Sequence, residues 1–297
     1  MHYFNHFEES ALQPPSPPYD KHNQGYTQAT LVDSTMGSVH TGTHICQLEP
    51  QGVLSPHLHA YEKSFYILQG EVVLSIEGRT HRLGPGDFGV LKSGQVHAWR
   101  NAGSRPARWF QMAAPQPKSA GAWQDTCFLG NAAVPTRAES LDPENTGDSL
   151  LGHFDVMQIP APDDPARQTS GAPPGVFLKW LVDENLGAAH HRLVFIEYQP
   201  GVSLGMHDHT FEECYLILSG EVEVVMDDKH YLARPGDVLW TGVGCFHSFS
   251  NTSPKPVCWL ETFSPQPPRE NMFRFKGEWE KKVREAGSAD ETGPGLA

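Results

Sequence analysis

Apolar residues in this chain come in short runs and period-two alternations punctuated by glycine, proline and aspartate. FYILQGEVVLSIEG (65–78) and CYLILSGEVEVVMDD (214–228) each read as two strands meeting at a Gly-Glu turn. PGDFGVLKSGQVHAW (85–99) and PGDVLWTGVGCFHSF (235–249) each read as a Pro-Gly-Asp turn, a strand, a glycine turn and another strand. A helix is expected only near the end, around GEWEKKVREAG (277–287), followed by a disordered tail, SADETGPGLA. With 28 glycines and 25 prolines among 297 residues, composition favours the same picture of many short strands joined by turns.

The pattern occurs twice. SPHLHAYEKSFYILQGE and GMHDHTFEECYLILSGE align at a constant offset of 150, and that offset holds without insertion from His57/His207 to Pro117/Pro267. It pairs Gly70 with Gly220, Pro85-Gly86-Asp87 with Pro235-Gly236-Asp237, His97 with His247, Asn101 with Asn251 and Trp109 with Trp259. An offset kept for so long marks an internal duplication. The expected fold is all-β: two tandem antiparallel jelly-roll barrels, with a short C-terminal helix. The expected divisions are an N-terminal arm and barrel over 1–117, a Pro- and Asp-rich connection over 118–175, a second barrel over 176–275, and the helix and tail over 276–297.

The second copy concentrates the chemistry. Alternate strand residues share a face, so His207 and His209 project together. Glu213 opens the next strand with Tyr215 and Ile217 at its parity, and His247 arrives on a strand after the Pro-Gly-Asp turn. Each of these is commonplace alone, as surface polar residue or core histidine. Together, inside a duplicated β unit, three imidazoles and a carboxylate make a pocket for one divalent ion, with Fe(II) or Mn(II) favoured by the hard oxygen ligand and Ni(II) or Zn(II) also served. Four protein ligands leave two neighbouring positions for water, O2 or a chelating substrate.

These segments resemble the two motifs of the cupin superfamily. Gly201, His207, His209, Glu213 and Gly220 match the first motif in type and spacing, and Gly236, Gly244, His247 and Asn251 match the second, with Gly242 standing where the family usually has proline. The resemblance covers both repeats and implies a two-barrel metal-binding cupin of quercetin-dioxygenase-like layout, with His207, His209, Glu213 and His247 as metal ligands. It implies no single reaction, since the superfamily holds dioxygenases, decarboxylases, isomerases, hydrolases and binding proteins.

The first copy departs from the motif. His57, His59 and His97 are present, but Lys63 stands in the glutamate position. Glu62, one residue earlier, faces the opposite side of its strand and has its own partner in Glu212. Gly52 lies one residue too close to His57, and Lys92 replaces the second motif's proline. Three readings stand open: a second metal site on His57, His59 and His97; Lys63 filling the vacated metal space; or Lys63 acting as a nucleophile or base of lowered pKa. His40, His44, His190 and His191 are read as surface or capping residues, and His81 and His230 as solvated residues beside hairpin turns.

Phe211, Tyr215, Ile217, Phe249 and Trp259 have lumen parity and are the expected substrate-binding wall of the second site. An aromatic pocket around an ion with open positions suits a small aromatic or enolic substrate that chelates the metal beside O2, which points to a dioxygenase with Glu213 moving between ligand and proton acceptor. The alternatives are Lewis-acid isomerisation, decarboxylation or hydrolysis of a small organic acid, and non-catalytic small-molecule binding. A formal net charge of -13 argues against nucleic acid or an anionic membrane as partner. No apolar run reaches membrane-spanning length and the N-terminus lacks a secretory pattern. Five cysteines without CxxC spacing read as reduced thiols, so a cytoplasmic protein is expected. Cys245, two residues before His247, is read as a small buried hydrophobe. Open barrel edges allow pairing into a homodimer.

Overall fold

The computed structural model describes residues 1–118, 125–130, 138–140, 150–167, 172–268 and 272–277. Its strands curl into two jelly-roll barrels, one per repeat. In the first, the long strand Gly42–His59 pairs with Asn23–Val32, Ala107–Ala114, His97–Arg100 and Thr126–Phe128, and so runs through both faces of one continuous sheet. In the second, the corresponding stretch is broken into Arg192–Tyr198 and Ser203–Asp208, giving separate six- and five-stranded sheets. The turn between these halves explains the irregular glycine spacing of the first copy. Gln51 (φ 63) takes the left-handed conformation that Gly201 (φ 81) takes in the second barrel, so the offset of 150 runs straight through this turn. Gly52 is not the turn residue, and nothing is deleted.

Strand parity divides the side chains between two destinations. On Glu62–Gln69, Phe65 and Ile67 join the lumen core of the first barrel, while Tyr66 joins a core shared by both barrels. On Glu212–Ser219, Tyr215 and Ile217 face the second lumen, while Cys214 and Leu216 enter the shared core with Phe88, Phe110, Phe195, Trp240 and Leu260. The barrels therefore stand back to back across a sheet-on-sheet interface.

Two crossed contacts tie the interface. Glu212 accepts hydrogen bonds from the Ser38 hydroxyl (2.6 Å) and the amides of Val39 (2.7 Å) and His40 (3.1 Å). Glu62 accepts from the amides of Ala189 (3.0 Å) and His190 (2.6 Å) and faces His191 Nδ1 at 2.8 Å. Each barrel thus caps the amides of the equivalent loop in the other. His191 is not at the surface: it is fully buried as the ring partner of Glu62. His44 likewise turns Nδ1 into the protein interior instead of solvent.

The edges are exchanged as well. The N-terminal strand His2–His6 pairs with Asp237–Thr241 of the second barrel, and Leu151–His153 pairs with Asp87–Leu91 of the first. His6 Nδ1 meets Asp237 and His153 Nδ1 meets Asp87, both at 2.7 Å. Phe7 N donates to Gly236 O (2.8 Å) and Phe154 N to Gly86 O (2.9 Å). A Cβ on Gly236 would come within 2.8 Å of the His6 ring, and one on Gly86 within 2.7 Å of Phe154 O, so both turns require glycine for the arm to lie this close. The expected C-terminal helix falls outside the described residues beyond Lys276-Gly277.

Candidate metal centre

Each barrel presents its histidines in the same way. Cross-strand register sets His207 opposite His247 and His57 opposite His97, with a bulge before each first histidine, between Leu204 and His207 and between Leu54 and His57. In the second barrel His207 Nδ1 donates to Gly205 O (2.7 Å), His209 Nδ1 to Phe211 O (2.9 Å) and His247 Nδ1 to Cys245 O (3.0 Å). A carbonyl only accepts, so Nδ1 carries the proton in all three rings and Nε2 is left as a lone pair. One nitrogen from each ring lies within 4.8 Å of the others. Glu213 Oε2 sits 2.8 Å from His209 Nε2 and 3.3 Å from His247 Nε2, and all four side chains are buried. Burial and the adjacent His247 push the His207 imidazolium down to about 3, keeping that ring in the neutral, ligating form. Burial would lower His209 too, but the charge of Glu213 outweighs it and raises that ring. Three aimed lone pairs around one anionic oxygen fit a divalent ion.

The first barrel orients its rings in the same way. His57 Nδ1 donates to Ser55 O (2.7 Å) and His97 Nδ1 to Gln95 O (2.9 Å), while His59 Nδ1 pairs with Thr126 Oγ1 (2.9 Å). The Nε2 atoms of His57, His59 and His97 are buried, have no hydrogen-bond partner among the described residues and form a second convergent group. Lys63 does not satisfy them: its ammonium turns to the Tyr19 hydroxyl at 3.4 Å. Burial first, then neighbouring positive groups, hold all three imidazoles well below their ordinary range.

The expected wall residues occupy different depths. Phe211 stacks on His209 with centroids 4.1 Å apart, and the Tyr215 hydroxyl donates to Glu213 and lies 3.2 Å from His247 Nε2. Phe249 is one layer below, 4.7 Å from the Tyr215 ring, and Ile217 and Trp259 pair across strands deeper in the lumen. Cys245 is buried, with its sulfur near His2 and Asp227 and outside the three-histidine group.

Further groups at the sites escaped sequence reasoning. Glu261, buried in the second lumen, takes a hydrogen bond from the Trp259 indole (2.7 Å). Burial and the charge of Glu213 push Glu261 well above the carboxylate range. Burial would raise Glu213 as well, but the charge and hydrogen bond of His209 outweigh it and hold Glu213 well below. The pair is thus driven apart, Glu213 toward the ionised form and Glu261 toward the protonated one. Its charge inside VCWLETF, at the parity of Trp259, was the available signal. Across the second mouth, Phe273 lies 5.0 Å and Phe275 5.7 Å from His207, and Arg274 forks onto Asp208 (2.9 and 2.6 Å). Tyr19 and Phe128 do the same for the first mouth, 5.8 Å and 4.9 Å from His57.

Comparison with known proteins places the fold. The Cupin domain model matches residues 44–112 and again 194–263. Over 102 residues the chain is 31% identical to the tetracenomycin polyketide synthase protein TcmJ of Streptomyces glaucescens, covering 33% of this chain and 68% of that one. The chain belongs to the cupin family. As a bicupin it also resembles, in fold, salicylate 1,2-dioxygenase of Pseudoaminobacter salicylatoxidans captured with gentisate (TM-score 0.64, 14% identity, 80% of this chain and 73% of that one). A variant of Bacillus subtilis oxalate decarboxylase is similarly close (TM-score 0.59, 14% identity, 89% and 80%). Among the described residues, no helix of the bicupin is long and apolar enough to cross a membrane.

Thr126 offers a direct check on the first site. It is the side-chain support of His59 and also contacts the Tyr19 and Tyr61 hydroxyls. Thr126→Val keeps the shape and removes that support; an ion held by His57, His59 and His97 is then expected to bind about 10–100-fold more weakly with the second barrel spared, measured by competition with a chelator.

Proposed function

We propose that this bicupin is a metal-dependent enzyme whose second barrel is a dioxygenase for a small, metal-chelating aromatic or enolic substrate. One observation carries the reading: three buried Nε2 lone pairs and the Glu213 carboxylate converge beneath a roof of Phe273 and Phe275 and beside Phe211 and Tyr215. His207, His209, Glu213 and His247 would hold the ion, with Fe(II) or Mn(II) favoured. When bound it supplies a Lewis acid with open positions and a one-electron couple.

The chain's own groups then have definite tasks. The aromatic roof stacks a planar substrate. Glu213 receives the proton of a phenolic or enolic hydroxyl, and the Tyr215 hydroxyl and protonated Glu261 beside it stabilise and pass on charge. A dioxygenase places both atoms of O2 in its product and needs no external reductant. The fold-level likeness to a dioxygenase supports this reading by analogy only. The oxalate decarboxylase likeness supports the second reading, Lewis-acid decarboxylation or isomerisation of a small organic acid. The unpartnered Nε2 atoms of His57, His59 and His97 support an ion in the first barrel as well.

Oxygen-electrode assays on iron- and manganese-loaded protein with catechols, hydroxybenzoates and 1,3-diketones separate the readings. Substrate-dependent uptake of O2 is expected, with one O2 consumed per product molecule. Turnover of an acid at an unchanged rate under argon would replace the dioxygenase with the Lewis-acid enzyme.

A further inference from the structure

The two lumens have opposite charge. Where the second barrel has Glu213, Glu261 and Val194, the first has Lys63, Gln111 and His44. Lys63 is only 5% exposed. Its ammonium contacts the Tyr19 hydroxyl at 3.4 Å and lies over the rings of Tyr19 and Tyr61 at 5.6 and 5.7 Å. Among the described residues no carboxylate comes within ion-pair reach of it. Aromatic faces offset part of the desolvation of a cation, but they do not neutralise it. Adding a divalent ion on three neutral imidazoles beside a protonated Lys63 gives this lumen three positive charges and, among the described residues, no fixed anion. The second lumen balances its ion with Glu213. A buried positive excess of that kind favours a ligand that brings a negative group.

We propose that the first barrel is an anion-recruiting metal site, in which Lys63 receives the carboxylate of a small chelating acid whose second oxygen reaches the ion held by His57, His59 and His97. The proposal rests on the reading of that triad as a metal site. The surroundings suit such a guest. Hydroxyls of Tyr19, Tyr61 and Thr126 cluster beside Lys63 as further donors, and Phe128, stacked on His22 at 4.3 Å, closes the mouth with an aromatic wall. A neutral chelator would leave both Lys63 and the ion uncompensated, so the site discriminates by charge before shape.

The test uses the full chain loaded with cobalt(II), titrated by calorimetry with glycolate and with its neutral isostere glycolamide. Wild-type protein is expected to bind glycolate at least about tenfold more tightly than glycolamide. Lys63→Met should lose about 10–100-fold in glycolate affinity at unchanged cobalt content, the range expected for removing a buried charged hydrogen bond. Lys63→Glu restores a fourth ligand, so it should bind cobalt in the first barrel more tightly while losing glycolate. Equal affinity for the two probes, or glycolate binding indifferent to Lys63→Met, overturns the proposal. Counting cobalt separates the underlying reading: one ion per chain, unchanged by His57→Ala, removes the first metal site. Glycolate binding that still depends on Lys63 would then support the anion pocket alone, and its loss would overturn that too.

Discussion

Glu213→Ala protein is expected to bind its second-barrel ion more than about 100-fold more weakly than wild type and to lose turnover with it. Removing an outer-shell partner of a metal ligand already costs about 10–100-fold, and Glu213 is the only anionic group aimed at the three imidazoles of this lumen among the described residues. Without it, His209 and His247 lose their carboxylate partner, and the Tyr215 hydroxyl loses the acceptor to which it donates. Glu213→Gln keeps an oxygen donor without the charge and should fall between the two. Dialysis against a graded chelator series with elemental analysis measures the affinity. An alanine variant that keeps its ion at wild-type chelator resistance would remove Glu213 from the ligand set.

The second large effect lies far from either histidine cluster. Glu62→Ala should destabilise the protein by about 3–5 kcal/mol, because it leaves fully buried His191 and two loop amides without their acceptor. Thermal unfolding should show a fall of roughly 10 °C. Burial alone would raise the Glu62 carboxyl, but the hydrogen bond and charge of His191 and the amides of Ala189 and His190 hold it below its usual value of 4.5. A carboxyl depressed in the folded state contributes stability that is present above pH 4.5 and lost as pH falls through its folded value. Glu62→Gln should therefore show a flatter loss of melting temperature on acidification below about pH 4.5 than wild type. If the two curves run parallel, this contact is not an ionised clamp.

Much of this was legible before any coordinates. The constant offset of 150 disclosed the duplication, and period-two parity placed Glu213 and Tyr215 in the lumen and Glu212 outside it. The cross-barrel contacts of Glu62 and Glu212 were not legible, because parity says which face a side chain takes and not what lies beyond that face. The exchanged arms were hidden by a small change of register. His6-Phe7 corresponds to His153-Phe154, and Phe128 to Phe275, at an offset of 147 in place of 150. Gln51 hid for another reason, since its positive φ is one that sequence reasoning assigns to glycine. Glu261 could have been found by extending lumen parity to VCWLETF, where a carboxylate among aromatic residues has no structural excuse.

Crystals grown with manganese and measured at wavelengths on either side of its absorption edge place the ion directly. The expected anomalous difference peak lies between the Nε2 atoms of His207, His209 and His247 and the carboxylate of Glu213. A fully loaded crystal with no peak there, whether the first barrel is filled or not, would contradict a metal enzyme in the second barrel.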